Sequence, residues 1–221
     1  MSAARARLER WTEPSLMPER VARLVRVTIN IIGATGATYF ALASIHSYFH
    51  GHRAIGVAFV AVQLWVVIAY LVRRPAASVT RRPSDWALAT VGTFGGVLVR
   101  PDGLHPGWGT PLGLGLQVVG LAICVASFVS LGRSFGFAAA DRGLRVRGPY
   151  AVVRHPIYAS YLFLQLGYLA QSVSWRNALI FAVVSSANVG RARAEERVLA
   201  LGDGYDAYRA RVRWRFIPGV W

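Results

Sequence analysis

Lysine is missing altogether: the 25 basic residues of this 221-residue chain are all arginine, set against ten acids for a net charge of +15. Exclusive use of arginine points to a GC-rich genome and hence to a bacterial source. Cysteine is nearly missing too, and the one present, Cys124, lies in an apolar run. That excludes an intramolecular disulfide and a cysteine metal cluster. Residues 1–23 are arginine-rich and lack the short apolar core and small-residue cleavage site of a signal peptide, so the first apolar segment is expected to remain as a membrane helix. No repeat and no low-complexity linker divides the chain, which reads as one domain. With no soluble segment to carry the arginines, no nucleic-acid partner is expected, and anionic lipid headgroups are the natural counter-charge.

What the chain has in abundance is apolar sequence. Hydrophobic residues make up 54% of it, more than alternating polar faces leave in a soluble domain. A helix needs about 20 apolar residues to span the hydrocarbon, and candidate spans lie at 24–46, 54–72, 84–101 and 111–132. A fifth stretch, 156–189, is long enough for two spans turning at 172–177, Ser-Val-Ser-Trp-Arg-Asn. Gly92, Gly95 and Gly96 dilute the third span, and Pro101 ends it. The expected fold class is therefore all-α: a polytopic membrane protein of six helices, the last two forming a tight hairpin.

The arginines fix the orientation, because cytoplasmic loops retain positive charge. The N-terminal arm carries six, the loop after the second helix four, the loop after the fourth five and the tail seven, whereas the alternate loops hold only Arg53, Arg100 and Arg176. Strict alternation of this kind places both termini in the cytoplasm, with the protein in the bacterial inner membrane. By this topology His46, His50, His52 and His105 fall on the opposite side, too scattered for a metal site. The chain then divides into an arm (1–23), four membrane helices (24–132) and a loop, hairpin and tail (133–221). In the arm, Ser15 and Pro18 suit the cap and first turn of an interfacial helix.

Polar residues gather at the cytoplasmic end of the hairpin. Gly148-Pro149 makes a turn, and Pro156 suits the first turn of the fifth helix, where its missing N–H removes no bond. That puts His155 near the N-cap, as an interfacial cap or as a group facing a ligand. Glu195 and Glu196 stand about one turn beyond the apolar part of the sixth helix; they are either a solvated face bridged to Arg191, Arg193 or Arg197, or partners of His155. The sixth helix should leave the membrane as an amphipathic segment, break at Gly202-Asp203-Gly204 and be followed by a short helix. Tyr150, Tyr158, Tyr161, Tyr205 and Tyr208 cluster at the same level, where an interfacial belt would also put them.

The run Gly148-Pro149-Tyr150, Arg154-His155-Pro156-Ile157-Tyr158, then a hairpin, Glu195-Glu196, Leu199, Gly202, Tyr205, Tyr208 and Arg215-Phe216-Ile217-Pro218 resembles the isoprenylcysteine carboxyl methyltransferase family and the related phospholipid methyltransferases. The likeness covers 147–221; the earlier residues share only the character of membrane helices. It implies S-adenosyl-L-methionine as cofactor, bound at the cytoplasmic face by Gly148, Pro149, Tyr150, His155, Pro156, Tyr158, Glu195 and Glu196, with Tyr205 and Tyr208 on the acceptor side. Two departures stand out. Ser160 replaces a common glycine, and the interval from Leu199 to Gly202 is about two residues short of the common pattern.

Chemistry makes demands that these residue types can meet. Aromatic faces hold a sulfonium, carboxylates accept from ribose hydroxyls or an ammonium, and a helix N-terminus receives a carboxylate. Methyl transfer needs the nucleophile held about 3 to 3.5 Å from the methyl group and water excluded. A carboxylate acceptor would want only an orienting cation, Arg154 or Arg215; an amine or phenol would need a base, His155 or a glutamate. The acceptor is expected to be lipophilic, entering from the bilayer. Sterol-type enone reductases using NADPH share the Arg-His-Pro-x-Tyr loop, but there an asparagine precedes the tyrosine and a Gly-Glu pair follows it, where this chain has Ile157 and Ala159-Ser160. A transporter or scaffold is the non-enzymatic alternative, though no two-half repeat points to one.

Overall fold

A computed structural model describes residues 82–100 and 103–220 continuously, with 78–80 and scattered positions between 27 and 76. The arm, the first two candidate spans as continuous helices, and the interfacial helix at Ser15 lie outside the described residues. The chain is mainly helical: β1 (Ser78–Val79), α1 (Pro83–Phe94), α2 (Gly109–Leu131), β2 (Ala140–Asp141), α3 (Pro156–Gln171), α4 (Trp175–Leu199) and α5 (Tyr205–Arg211), with short 3-10 turns at Gly95–Leu98, Gly132–Ser134 and Gly148–Ala151.

The C-terminal elements start and stop for local reasons. Pro156 opens α3 behind His155 at the N-cap, as its fixed φ and missing N–H favour. The turn after α3 passes through Ser172–Ser174, and the Ser174 side chain accepts from the Asn177 N–H to cap α4. Helix α4 runs 25 residues to Leu199, and the chain breaks at Gly204, whose φ of 85° is left-handed, before α5 begins.

Two expectations change. The third span, read at 84–101, is a 12-residue helix followed by a 3-10 turn over Gly95–Leu98; glycine at 92, 95 and 96 weakens helical persistence there. The hairpin is tight at its turn but not along its arms. Helix α3 packs most extensively on α2, and α4 on α1. Small residues decide this pairing: a Cβ at Gly167 on α3 would lie 2.6 Å from the Gly113 carbonyl oxygen on α2, and one at Gly190 on α4 would lie 2.7 Å from Leu88 on α1. Between α3 and α4 the contacts are bulkier, with Tyr168 edge-on to Phe181 and Ser185 donating to Gln165. A groove therefore remains between the two arms.

Polar ties hold α1 and α4 in register at both ends. Asn177, fully buried, donates to the Arg100 carbonyl at 2.6 Å and accepts from its N–H. At the other end Asp85, buried in the first turn of α1, accepts from Thr80 at 2.6 Å and from Arg197 at 2.7 Å. The small β1–β2 ladder pairs Ser78 with Asp141 and Val79 with Ala140, laying the loop after α2 against α4, where Ala139 packs on Ala194 and Val198.

Polar side chains share the interior with apolar ones, while large apolar side chains stand on the outside. Gln117, Ser127, Ser160, Asn177, Asn188 and Arg191 are buried, while Leu112, Val118, Val125, Val129, Leu166 and Leu179 are exposed. One helix among the described residues, α2 continued to Ser134, is long and apolar enough to cross a membrane.

Candidate functional site

The site forms where three segments meet: the start of α3, the extension of α4 and the C-terminal strap after α5. The strap is pinned by its backbone, with the Arg154 N–H donating to the Trp214 carbonyl and the His155 N–H to that of Arg215, at 2.9 and 2.8 Å. This returns Arg215 and Phe216 to the mouth of α3, with the Phe216 ring 5.9 Å from His155. Tyr208 fixes the other flank, its hydroxyl donating to the Tyr150 carbonyl at 2.8 Å.

The adjacent glutamates have different jobs. Glu196 faces inward as a hub: its carboxylate takes Arg154 Nη1 at 2.8 Å, His155 Nε2 at 3.2 Å and the Arg215 fork at 3.1 to 3.2 Å. Burial works against its charge, but the hydrogen bonds from His155 and Arg215 and the nearby positive charges prevail and hold its pKa at about 2. Glu195 faces an open cleft, accepting from the Tyr158 hydroxyl at 2.5 Å with its other oxygen 3.6 Å from His155 Nδ1. Its pKa is lowered too, burial being outweighed by His155 and then Arg191. His155, buried between the two carboxylates, is disfavoured as a cation by burial, yet both glutamates raise its pKa.

The cleft is polar and aromatic, with about 910 Å³ of empty space counted out to its mouth. Of the residues singled out from sequence, Tyr150, Arg154, His155, Tyr158, Glu195, Tyr205 and Tyr208 line it. Gly148, Pro149, Pro156, Glu196 and Arg215 stand outside that lining. Gly148 (φ 61°) opens the turn that places Tyr150, where a Cβ would press on the Ser130 side chain. Pro156 is fully buried. Arg154 and Arg215 are both engaged with Glu196. Tyr205 and Tyr208 also join a small core with Val212, against which Leu144, Val146 and Leu199 pack.

Several lining residues carry no signal in the motif. Ser134, Phe135, Arg142 and Arg145 come from the loop after α2, whose sequence resembles an ordinary basic connection. Arg191 is the most consequential: its guanidinium sits 5.3 Å from the centroid of the Tyr158 ring and donates to the Phe137 carbonyl and to Asn188. Its position one turn before Glu195 was the available clue.

A second cavity, with about 740 Å³ of empty space counted in the same way, is the groove between the arms of the hairpin. Tyr158, Ala159, Tyr161 and Leu162 of α3 face Ser185, Asn188 and Val189 of α4, with Phe216, Ile217 and Val220 of the strap closing one end. Among the described residues no charged side chain lines it. Tyr158 and Tyr161 line both cavities, so the charged cleft and the apolar groove share these two side chains. Among the described residues, no group of three or more His, Cys, Asp or Glu is placed to hold a metal ion. No family model matches the chain, and no curated protein matches it.

Proposed function

We propose that this chain is an integral membrane methyltransferase that moves a methyl group from S-adenosyl-L-methionine to a lipophilic acceptor at the cytoplasmic face of a bacterial inner membrane. The observation that carries the reading is the shared Tyr158–Tyr161 wall. A polar cleft and a mainly apolar groove that share two tyrosine side chains suit a reaction between a charged, water-soluble donor and an apolar acceptor. Six helices with both termini cytoplasmic is the topology that the arginine alternation supports, and the apolar outer faces of α2, α3 and α4 favour a lipid surround.

The cleft fits the cofactor in chemical type. Its five tyrosines offer ring faces for a sulfonium and an adenine, Glu195 is an ionised acceptor for ammonium or hydroxyl donors, and the arginines of the loop after α2 suit a carboxylate. A buried hydroxyl, that of Tyr205, lies beside Arg154 without a hydrogen bond of good geometry, a group that a ligand would satisfy. When bound, the cofactor supplies an electrophilic methyl group on a sulfonium. The protein's part is to hold His155, Glu195 and the tyrosines in place through Glu196, Arg154 and Arg215, and to keep water from the junction. Likeness of 147–221 to the isoprenylcysteine carboxyl methyltransferases leads to the same reading.

The test is incubation of the purified protein with methyl-labelled S-adenosyl-L-methionine and a total bacterial lipid extract. Label is expected in the organic phase, and its absence from every lipid contradicts a lipophilic acceptor.

A further inference from the structure

Four arginines line the cleft, Arg142, Arg145, Arg154 and Arg191, against one carboxylate, Glu195. Arg154 is paired with Glu196 at 2.8 Å. Arg191 donates to the Phe137 carbonyl at 2.9 Å and to Asn188 at 3.3 Å. Arg142 lies against Gly136, where it leaves no room for a Cβ, and is itself engaged. Arg145 differs from these three. Its Nε donates to Ser134 Oγ at 3.0 Å, and that hydroxyl donates in turn to the Arg142 carbonyl at 3.0 Å. The rest of its guanidinium has no acceptor among the described residues, although the side chain is half-buried in the cleft wall. Taking a guanidinium partly out of water with no counter-charge costs free energy, so the position suits an anion that comes from outside the chain. Two residues on, Arg147 is exposed and stands outside the cleft lining, as an ordinary arginine of a cytoplasmic loop would.

We propose, on the basis of the methyltransferase reading above, that Arg145, held by Ser134, is the residue that takes the carboxylate of S-adenosyl-L-methionine. At neutral pH that carboxylate is the only anionic group of the cofactor, whose sulfonium and ammonium are both cations. Glu195 repels it and Arg145 attracts it. The cofactor head therefore lies with its carboxylate at the loop after α2 and presents its ammonium or ribose hydroxyls to Glu195. The Ser134 bond occupies Nε and leaves the two terminal nitrogens for a forked contact with both carboxylate oxygens. Every cofactor contact that the family likeness implies lies between Gly148 and Glu196. Arg145 extends the cofactor site into a loop that precedes that stretch.

Calorimetric titration of the full chain in nanodiscs tests this with two ligands: S-adenosylhomocysteine, and S-adenosyl-3-thiopropylamine, which is the same molecule without its carboxylate. The wild type should bind S-adenosylhomocysteine at least about tenfold more tightly than the amine, as a charge-assisted pair requires. Arg145→Gln should weaken S-adenosylhomocysteine about tenfold or more while the amine stays within about threefold of its wild-type affinity, so that the preference disappears. Retained binding of the amine also shows that the variant is folded. Arg147→Gln removes the same charge from the same loop outside the cleft and should keep the preference. Equal or tighter binding of the amine by the wild type, undiminished S-adenosylhomocysteine affinity in Arg145→Gln, equal loss of both ligands there, or the same selective loss in Arg147→Gln overturns the proposal alone. Failure of the wild type to bind either ligand overturns the methyltransferase reading, and this inference with it.

Discussion

Replacing Glu196 by Gln should unsettle the whole mouth of the hairpin. The carboxylate is about 10% exposed and engages Arg154, His155 and Arg215 together. Its pKa falls from 4.5 to about 2, a preference for the charged form worth about 3 kcal/mol. Breaking a buried ion pair from one side costs about 3 to 5 kcal/mol, because the partner charge stays buried, and Arg154 is only 7% exposed. The two figures agree. In a chain of this size about 3 kcal/mol corresponds to a Tm lower by roughly 6 to 12 °C. The sign with pH follows: a depressed carboxyl pKa contributes stability that is complete above about 4.5 and is lost as pH falls toward 2. Thermal unfolding in detergent at pH 6 and at pH 3 should therefore show a wide gap between wild type and Glu196→Gln that narrows in acid. A second variant, Glu196→Leu with Arg154→Met, removes both members of the closest pair and should recover part of the loss. A gap under about 2 °C at pH 6, or one independent of pH, refutes the hub.

His155 should give the opposite pH dependence: its raised pKa contributes stability present below about 6.5 and lost as pH rises through the raised value, a fall in Tm that His155→Gln should abolish. Gly167→Leu should force α2 and α3 apart, since even a Cβ there would lie 2.6 Å from the Gly113 carbonyl oxygen; a loss of about 1 to 3 kcal/mol or more, read by thermal unfolding, is expected. Asp85→Ala should leave Thr80 and the Arg197 guanidinium without their shared acceptor and speed hydrogen exchange at the start of α1 more than in α2.

Much of the C-terminal third was legible because its signals are local. Pro156 could only open a helix, so His155 had to stand at its cap, and Gly202 to Gly204 could only end one. What could not be read depends on faces and neighbours. Glu195 and Glu196 differ by about 100° around a helix, and nothing in a run of Ala-Glu-Glu-Arg says which one looks into the cleft; the returning strap with Arg215 settles it. The expected pairing of the hairpin arms assumed that sequence neighbours pack together, whereas glycines 113, 167 and 190 give α3 and α4 closer partners elsewhere. Strands of two residues, β1 and β2, are too short to show any alternation. Arg191 was visible as one of three arginines able to bridge the glutamates, but its place over the Tyr158 ring depends on how α3 and α4 meet.

The central claim is the identity of the molecule in the cleft. Calorimetric titration of the purified wild-type protein with S-adenosylhomocysteine and, separately, with NADPH tests it directly. Saturable binding of S-adenosylhomocysteine, lost in Glu195→Gln and in His155→Ala, is the predicted result; binding of NADPH alone, or unchanged affinity in both variants, contradicts it.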